Sequence, residues 1–141
     1  MKKAAIIYWS GTGNTEAMAQ AVYEGARNVN SEVKLFNVAE LSAKEAAEYD
    51  VLILGCPAMG AEVLEESEFE PFFGELEPKL EGKSVALFGS YGWGDGEWMR
   101  EWEERVRECG GELLCDGLTV NEAPDDTALA DCAELGVKAV K

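Results

Sequence analysis

The chain has 141 residues, 12 Lys and Arg against 28 Asp and Glu, a formal charge of −16 and no histidine. Its length suits one domain, residues 1–141, whose hydrophobic core needs no metal or disulfide support, and its charge repels nucleic acid and anionic membranes. No apolar run reaches about 18 residues, and the start, MKKAAIIYWSG, lacks the apolar stretch and cleavage site of a secretory signal, so a cytoplasmic protein is expected.

KAAIIYW (3–9) opens the chain as a strand and passes through YWSGTGNT (8–15) into an amphipathic helix over 14–28, with Asn14 or Thr15 as its cap. EVKLFNV (32–38) is the second strand, 42–47 a short helix and DVLILGC (50–56) the third strand. The acidic stretch 62–82 reads as a solvated helix face and its approach, with the helix itself at 68–79 and Pro71 early in it. KSVALFG (83–89) is the fourth strand; GSYGWGDGEW (89–98) leads from it into a helix over 97–109 that stops before Gly110 and Gly111. On that helix Trp98 and Trp102, four apart, form a core-facing stripe. GELLCDGLTV (111–120) reads as one fifth strand and 126–139 as the last helix. Near-continuous apolar strands alternating five times with helices predict an α/β fold, a doubly wound five-stranded parallel sheet with helices on both faces.

The four cysteines, Cys56, Cys109, Cys115 and Cys132, include no C-x-x-C pair, and the chain has no histidine to complete a zinc site. Iron–sulfur ligation would need thiolates at shorter spacings. Small buried hydrophobes in a reduced compartment is the expected role.

Ligands of doubly wound sheets bind beyond the carboxyl ends of the strands, which directs attention to the loops after strands one, three and four. In the first, Ser10, Gly11, Thr12, Gly13, Asn14 and Thr15 present hydroxyls, an amide and backbone N–H groups at a helix N-terminus, a phosphate site. It lacks the Lys of nucleotide-hydrolysing loops, and Glu16 stands where a dinucleotide fingerprint has its third glycine. Neutral donors alone suit a ligand that is kept, not turned over. In the second loop, Cys56 to Glu62, Gly60 permits a positive φ or a peptide flip, and Met59 offers a flexible apolar cover. In the third, glycines frame Tyr91, Trp93 and Asp95, and Trp93 reads as a stacking platform. Together they describe a pocket for a flat ring with a phosphorylated tail, which FMN fits.

SGTGNT (10–15), LGCPAMG (54–60), EESEFEPFF (65–73) and ALFGSYGWGDGEWM (86–99), in this order and spacing, make the whole chain similar to the short-chain flavodoxins. The resemblance implies strand order 2-1-3-4-5 and one non-covalent FMN. By matching motif, Ser10, Thr12, Asn14 and Thr15 would hold the phosphate together with the loop amides. Met59 would cover the inner ring face and Trp93 the outer, and Glu62 would accept from flavin N3–H. Ala58, Ser90, Tyr91, Gly92 and Gly94 would line the ribityl chain and the pyrimidine edge. The Gly60–Ala61 peptide would flip on one-electron reduction to receive N5–H. Ala61 stands where many members carry Asp, and Pro57 replaces a hydroxyl residue of some members.

The resemblance further implies a low-potential one-electron carrier cycling between semiquinone and hydroquinone, with no substrate of its own. A monomer is expected, with redox enzymes bearing basic patches as partners: reductases, hydrogenases and other ferredoxin-using systems. The acidic surface would steer it to them. A two-electron, quinone-reductase-like FMN enzyme is the alternative, against which stand a minimal chain and the lack of histidine. A phosphoacceptor signalling domain of the same sheet order would need acids at 8–15 and 55–60, where there are none.

Overall fold

A computed structural model of the protein describes residues 3–30, 32–60 and 62–141. Strands β1 (Ala4–Tyr8), β2 (Val33–Asn37), β3 (Val51–Gly55), β4 (Ser84–Tyr91), β5 (Glu112–Leu113) and β6 (Leu118–Asn121) alternate with helices α1 (Asn14–Arg27), α2 (Ala43–Ala46), α3 (Phe69–Leu76), α4 (Glu97–Glu108) and α5 (Asp126–Val140). The sheet is parallel in the order β2-β1-β3-β4-β5, with β6 also on β4.

All five residues of β1 and of β3 are buried, because helices cover both faces and each strand sends alternate side chains to opposite layers. Ala5, Ile7, Leu52, Leu54, Val85 and Leu87 join one core with Phe69, Phe73, Trp98 and Trp102 of α3 and α4. Ala4, Ile6, Val51, Ile53, Ala86 and Phe88 join the other with α1 and α5. The tryptophan stripe is core as predicted, Trp98 and Trp102 each 1% exposed. Trp102 meets Phe69 and Phe73 edge to face, centroids 5.4 and 5.9 Å apart.

Three local readings are corrected. The predicted strand 111–120 is broken: Leu113 pairs with Val85 and Leu118 with Phe88, so its chain advances five residues while β4 advances three. The cause lies on α4. Gly117 N–H donates to Glu103 at 2.7 Å, and a Cβ at Gly117 would strike the Met99 thioether, so the segment leaves the ladder. Strand β4 in turn runs to Tyr91, because Gly89, Ser90 and Tyr91 pair with β6; Ser90 and Tyr91 are strand residues. Finally, neither Asn14 nor Thr15 caps α1; the cap is Gly13, left-handed at φ 97°, with no side-chain cap bond. Among the described residues no helix is long and apolar enough to cross a membrane.

Candidate functional site

The ends of β1, β3 and β4 are drawn together by backbone bonds: Trp9 N–H to Gly55 O at 3.0 Å, Cys56 N–H to Phe88 O at 3.1 Å and Ala58 N–H to Ser90 O at 3.0 Å. Trp98 Nε1 donates to Cys56 O at 3.2 Å, and Gly89 lies so close that a Cβ there would fall on the Cys56 carbonyl. Above these strand ends opens a cleft of about 410 Å3, a size typical of small-molecule sites.

Its first wall is the β1–α1 loop, where Ser10, Gly11, Thr12, Asn14 and Thr15 line the cleft. Ser10 Oγ accepts from Gly13 N–H at 3.1 Å, folding the loop back on itself. Gly13 lies outside the lining and supplies the left-handed turn instead. Thr15 is 1% exposed and its hydroxyl lies 3.1 Å from that of Ser90, which is also buried. That pair links the first and third loops, and it leaves Ser10, Thr12 and Asn14 as the side chains more open to a ligand. The set is uncharged, and it sits at the positive end of the α1 dipole.

Pro57, Ala58 and Met59 form the second wall and Ser90, Tyr91, Gly92 and Trp93 the third. Trp93 is 61% exposed, so its ring face is open to a flat partner. Tyr91 lines the cleft and also packs on Trp98 with centroids 5.7 Å apart, at the edge of the core. Met59 and Val63 close a tight turn through reciprocal backbone bonds of 2.8 and 2.9 Å. Within it Gly60 has φ 51° and Glu62 φ 56°. Gly60, Glu62 and Gly94 do not line the cleft. Glu62 Oε1 instead accepts from Gly96 N–H at 3.2 Å. Ala61, and with it part of the predicted flipping peptide, lies outside the described residues.

Two lining residues escape the motif reading. Trp9, read only as strand, packs its ring over Gly11 and donates from Nε1 to Glu68 at 3.1 Å; an aromatic directly before the glycine loop was the available signal. Glu122 arrives because β6 pairs with β4, its N–H donating to Tyr91 O at 2.7 Å. Its backbone is left-handed, φ 57°, and no local pattern marks it.

Behind the second loop the acidic stretch departs from a purely solvated face. Glu65 is buried, and its carboxylate accepts from Ser67, Glu68 and Phe69 N–H at 2.8, 2.8 and 2.9 Å. Burial works against its ionisation, but the bonds from Phe69, Glu68 and Ser67 prevail and hold its carboxyl below the usual range. The four cysteines are unpaired; Cys56 and Cys132 are buried, while Cys109 and Cys115 are half-buried. Burial pushes every one of these thiols up, Cys132 to about 11, so none is a ready thiolate near neutrality. Among the described residues no cluster of Cys, Asp or Glu is placed to hold a metal ion.

A neutral donor loop at a helix N-terminus, a cleft of small-molecule size and an open indole face suit FMN. The family described as Flavodoxin matches residues 6–136. The flavodoxin of Clostridium beijerinckii is 53% identical over 133 residues, covering 94% of this chain and 96% of that protein. That of Megasphaera elsdenii is 48% identical over 136 residues, covering 96% and 97%. The solution structure of two-electron reduced M. elsdenii flavodoxin aligns with a TM-score of 0.88 at 47% identity, over 97% of this chain and 98% of that one. A nitric oxide reductase of Moorella thermoacetica is 32% identical over 142 residues, which span 96% of this chain but 35% of that protein. The chain belongs to the flavodoxin family, FMN-binding electron-transfer proteins without a substrate of their own.

Proposed function

We propose that this flavodoxin is a low-potential, one-electron carrier, a monomeric domain of residues 1–141 that moves its non-covalently held FMN between the one-electron-reduced and fully reduced states. The carrying observation is the pairing of an uncharged phosphate cradle with a tryptophan face 61% exposed at the opposite wall of one cleft. FMN when bound supplies the capacity to take up one or two electrons.

Ser10, Thr12 and Asn14, with the loop N–H groups, are assigned the phosphate; Thr15 braces that loop against Ser90. Met59 and Trp93 are assigned the two faces of the ring. Glu62, which lies outside the cleft lining, is assigned acceptance at the ring edge in addition to its bond from Gly96 N–H. The Gly60–Ala61 peptide is assigned the carbonyl that holds the proton gained by the ring, and glycine at φ 51° allows such a carbonyl to turn at little cost. Carboxylates dominate the chain, with 28 Asp and Glu, and disfavour further negative charge in the cleft; this lowers the potential of the second electron.

The same charge favours basic patches on reductases, hydrogenases and other ferredoxin-using enzymes, and electron transfer to them falls steeply with salt. The likeness to one part of a nitric oxide reductase supports delivery to redox enzymes. A cytoplasmic setting is consistent with four unpaired thiols.

An anaerobic reductive titration followed by visible absorbance tests the reading. A distinct long-wavelength species near half reduction supports it; direct two-electron bleaching transfers the case to a two-electron, quinone-reductase-like flavoenzyme.

A further inference from the structure

The second and third loops carry Met59 and Trp93, and one side chain ties them together. Glu62 Oε1 accepts from Gly96 N–H at 3.2 Å, across 34 residues of sequence. Gly96 is the left-handed cap of α4, φ 92°, with no side-chain cap bond of its own. The carboxylate thus sits on the positive end of a helix dipole in a charge-assisted bond. Gly94, φ 86°, leaves the space it needs, since a Cβ there would fall on the Glu62 carboxylate. On the other side Glu62 holds a left-handed backbone, φ 56°, unusual for a residue with a Cβ, and the Met59–Val63 pair keeps that turn closed. Within the third loop and its helix, Arg100 bonds the Asp95 carbonyl and carboxylate at 3.0 Å each, which steadies the approach to Gly96. Beyond the Ala58–Ser90 backbone bond at their bases, the two glycine-rich loops are therefore joined further out at one carboxylate.

We propose that Glu62 is a positioning residue of the ring slot: by holding Gly96 N–H it ties the Met59 turn to the Trp93 loop and sets the width of the slot. This rests on the FMN reading only in naming the ring that the slot receives. It is separate from any hydrogen bond to the ring edge, because the bond to Gly96 N–H is made within the protein and the carboxylate keeps further acceptor sites for a ligand.

The test follows Gly96 amide hydrogen exchange by NMR in the protein as purified, alongside dissociation constants for FMN and N3-methyl-FMN, which lacks the N3–H donor. Glu62→Ala is expected to speed Gly96 exchange about tenfold and to weaken both flavins by a similar factor. Glu62→Gln, which keeps an acceptor, recovers most of both effects. Gly94→Ala, which displaces the carboxylate, resembles Glu62→Ala in exchange. The urea midpoint, read in parallel, identifies any variant that is globally unfolded, and Glu62→Gln then carries the test. Unchanged Gly96 exchange in Glu62→Ala overturns the tie. So does a binding penalty that disappears with N3-methyl-FMN, since the carboxylate would then act on the ring alone. Failure of the unsubstituted protein to bind any flavin would instead sink the FMN reading and leave the exchange result standing.

Discussion

Helices α1 and α4 follow two of the loops that wall the cleft, both start from a left-handed glycine, Gly13 at φ 97° and Gly96 at φ 92°, and both lack a side-chain cap bond. At α1 the loop's own Ser10 hydroxyl takes the Gly13 N–H, and around it stand neutral, open donors. At α4 the Gly96 N–H is taken by a carboxylate from the second loop. One helix dipole meets a neutral hydroxyl of the protein and the other is filled by one of its anions. α3 is a third solution: buried Glu65 binds three backbone N–H groups at its start. A helix N-terminus becomes a site only where the chain declines to fill it.

Placing an acid in the open cradle abolishes the contrast and gives the largest expected effect. In Thr12→Asp, a charge about 4 Å from the phosphate costs on the order of 4 kcal/mol at an effective dielectric of 20, so FMN affinity falls at least 100-fold. Riboflavin, without the phosphate, stays within about threefold, and fluorescence titration compares the two. Equal losses for both flavins would mean that residues 10–15 do not hold the phosphate.

The filled terminus of α3 is broken by Glu65→Ala, which strands three N–H donors and costs about 2–3 kcal/mol in urea unfolding. Glu65 titrates below its ordinary value of 4.5 in the folded protein. Its contribution is therefore fully present above that value and is lost as pH falls through the lower native one. The gap between the unsubstituted protein and Glu65→Ala should narrow on acidification; a gap independent of pH would count against the carboxylate as its source.

The smallest effect is expected at Glu122, where the cleft uses a left-handed residue that is not glycine. Glu122→Asn relieves part of a strain of about 1–2 kcal/mol, raising stability by about 0.5–1 kcal/mol in thermal unfolding. A lower melting temperature would show that the Glu122 side chain supports the cleft rim.

Local physics made most of the molecule legible from residues alone. Continuous apolar runs such as VLILG, short and bounded by turn residues, favour strands covered on both faces, and glycines with hydroxyls after β1 favour an open loop, so the alternation and the layers were legible in the sequence. What escaped depends on groups distant in the chain. Glu103 and Met99 on α4 break the fifth strand at Gly117; the pairing of β6 with β4 lengthens the fourth strand to Tyr91 and brings Glu122 to the rim; Thr15 turns to Ser90 and Glu62 to Gly96. Hydrophobic periodicity and turn chemistry are properties of neighbours in sequence. Which donor a buried hydroxyl or a loop carboxylate finds is a property of neighbours in space, decided only when the sheet has brought β1, β3 and β4 side by side.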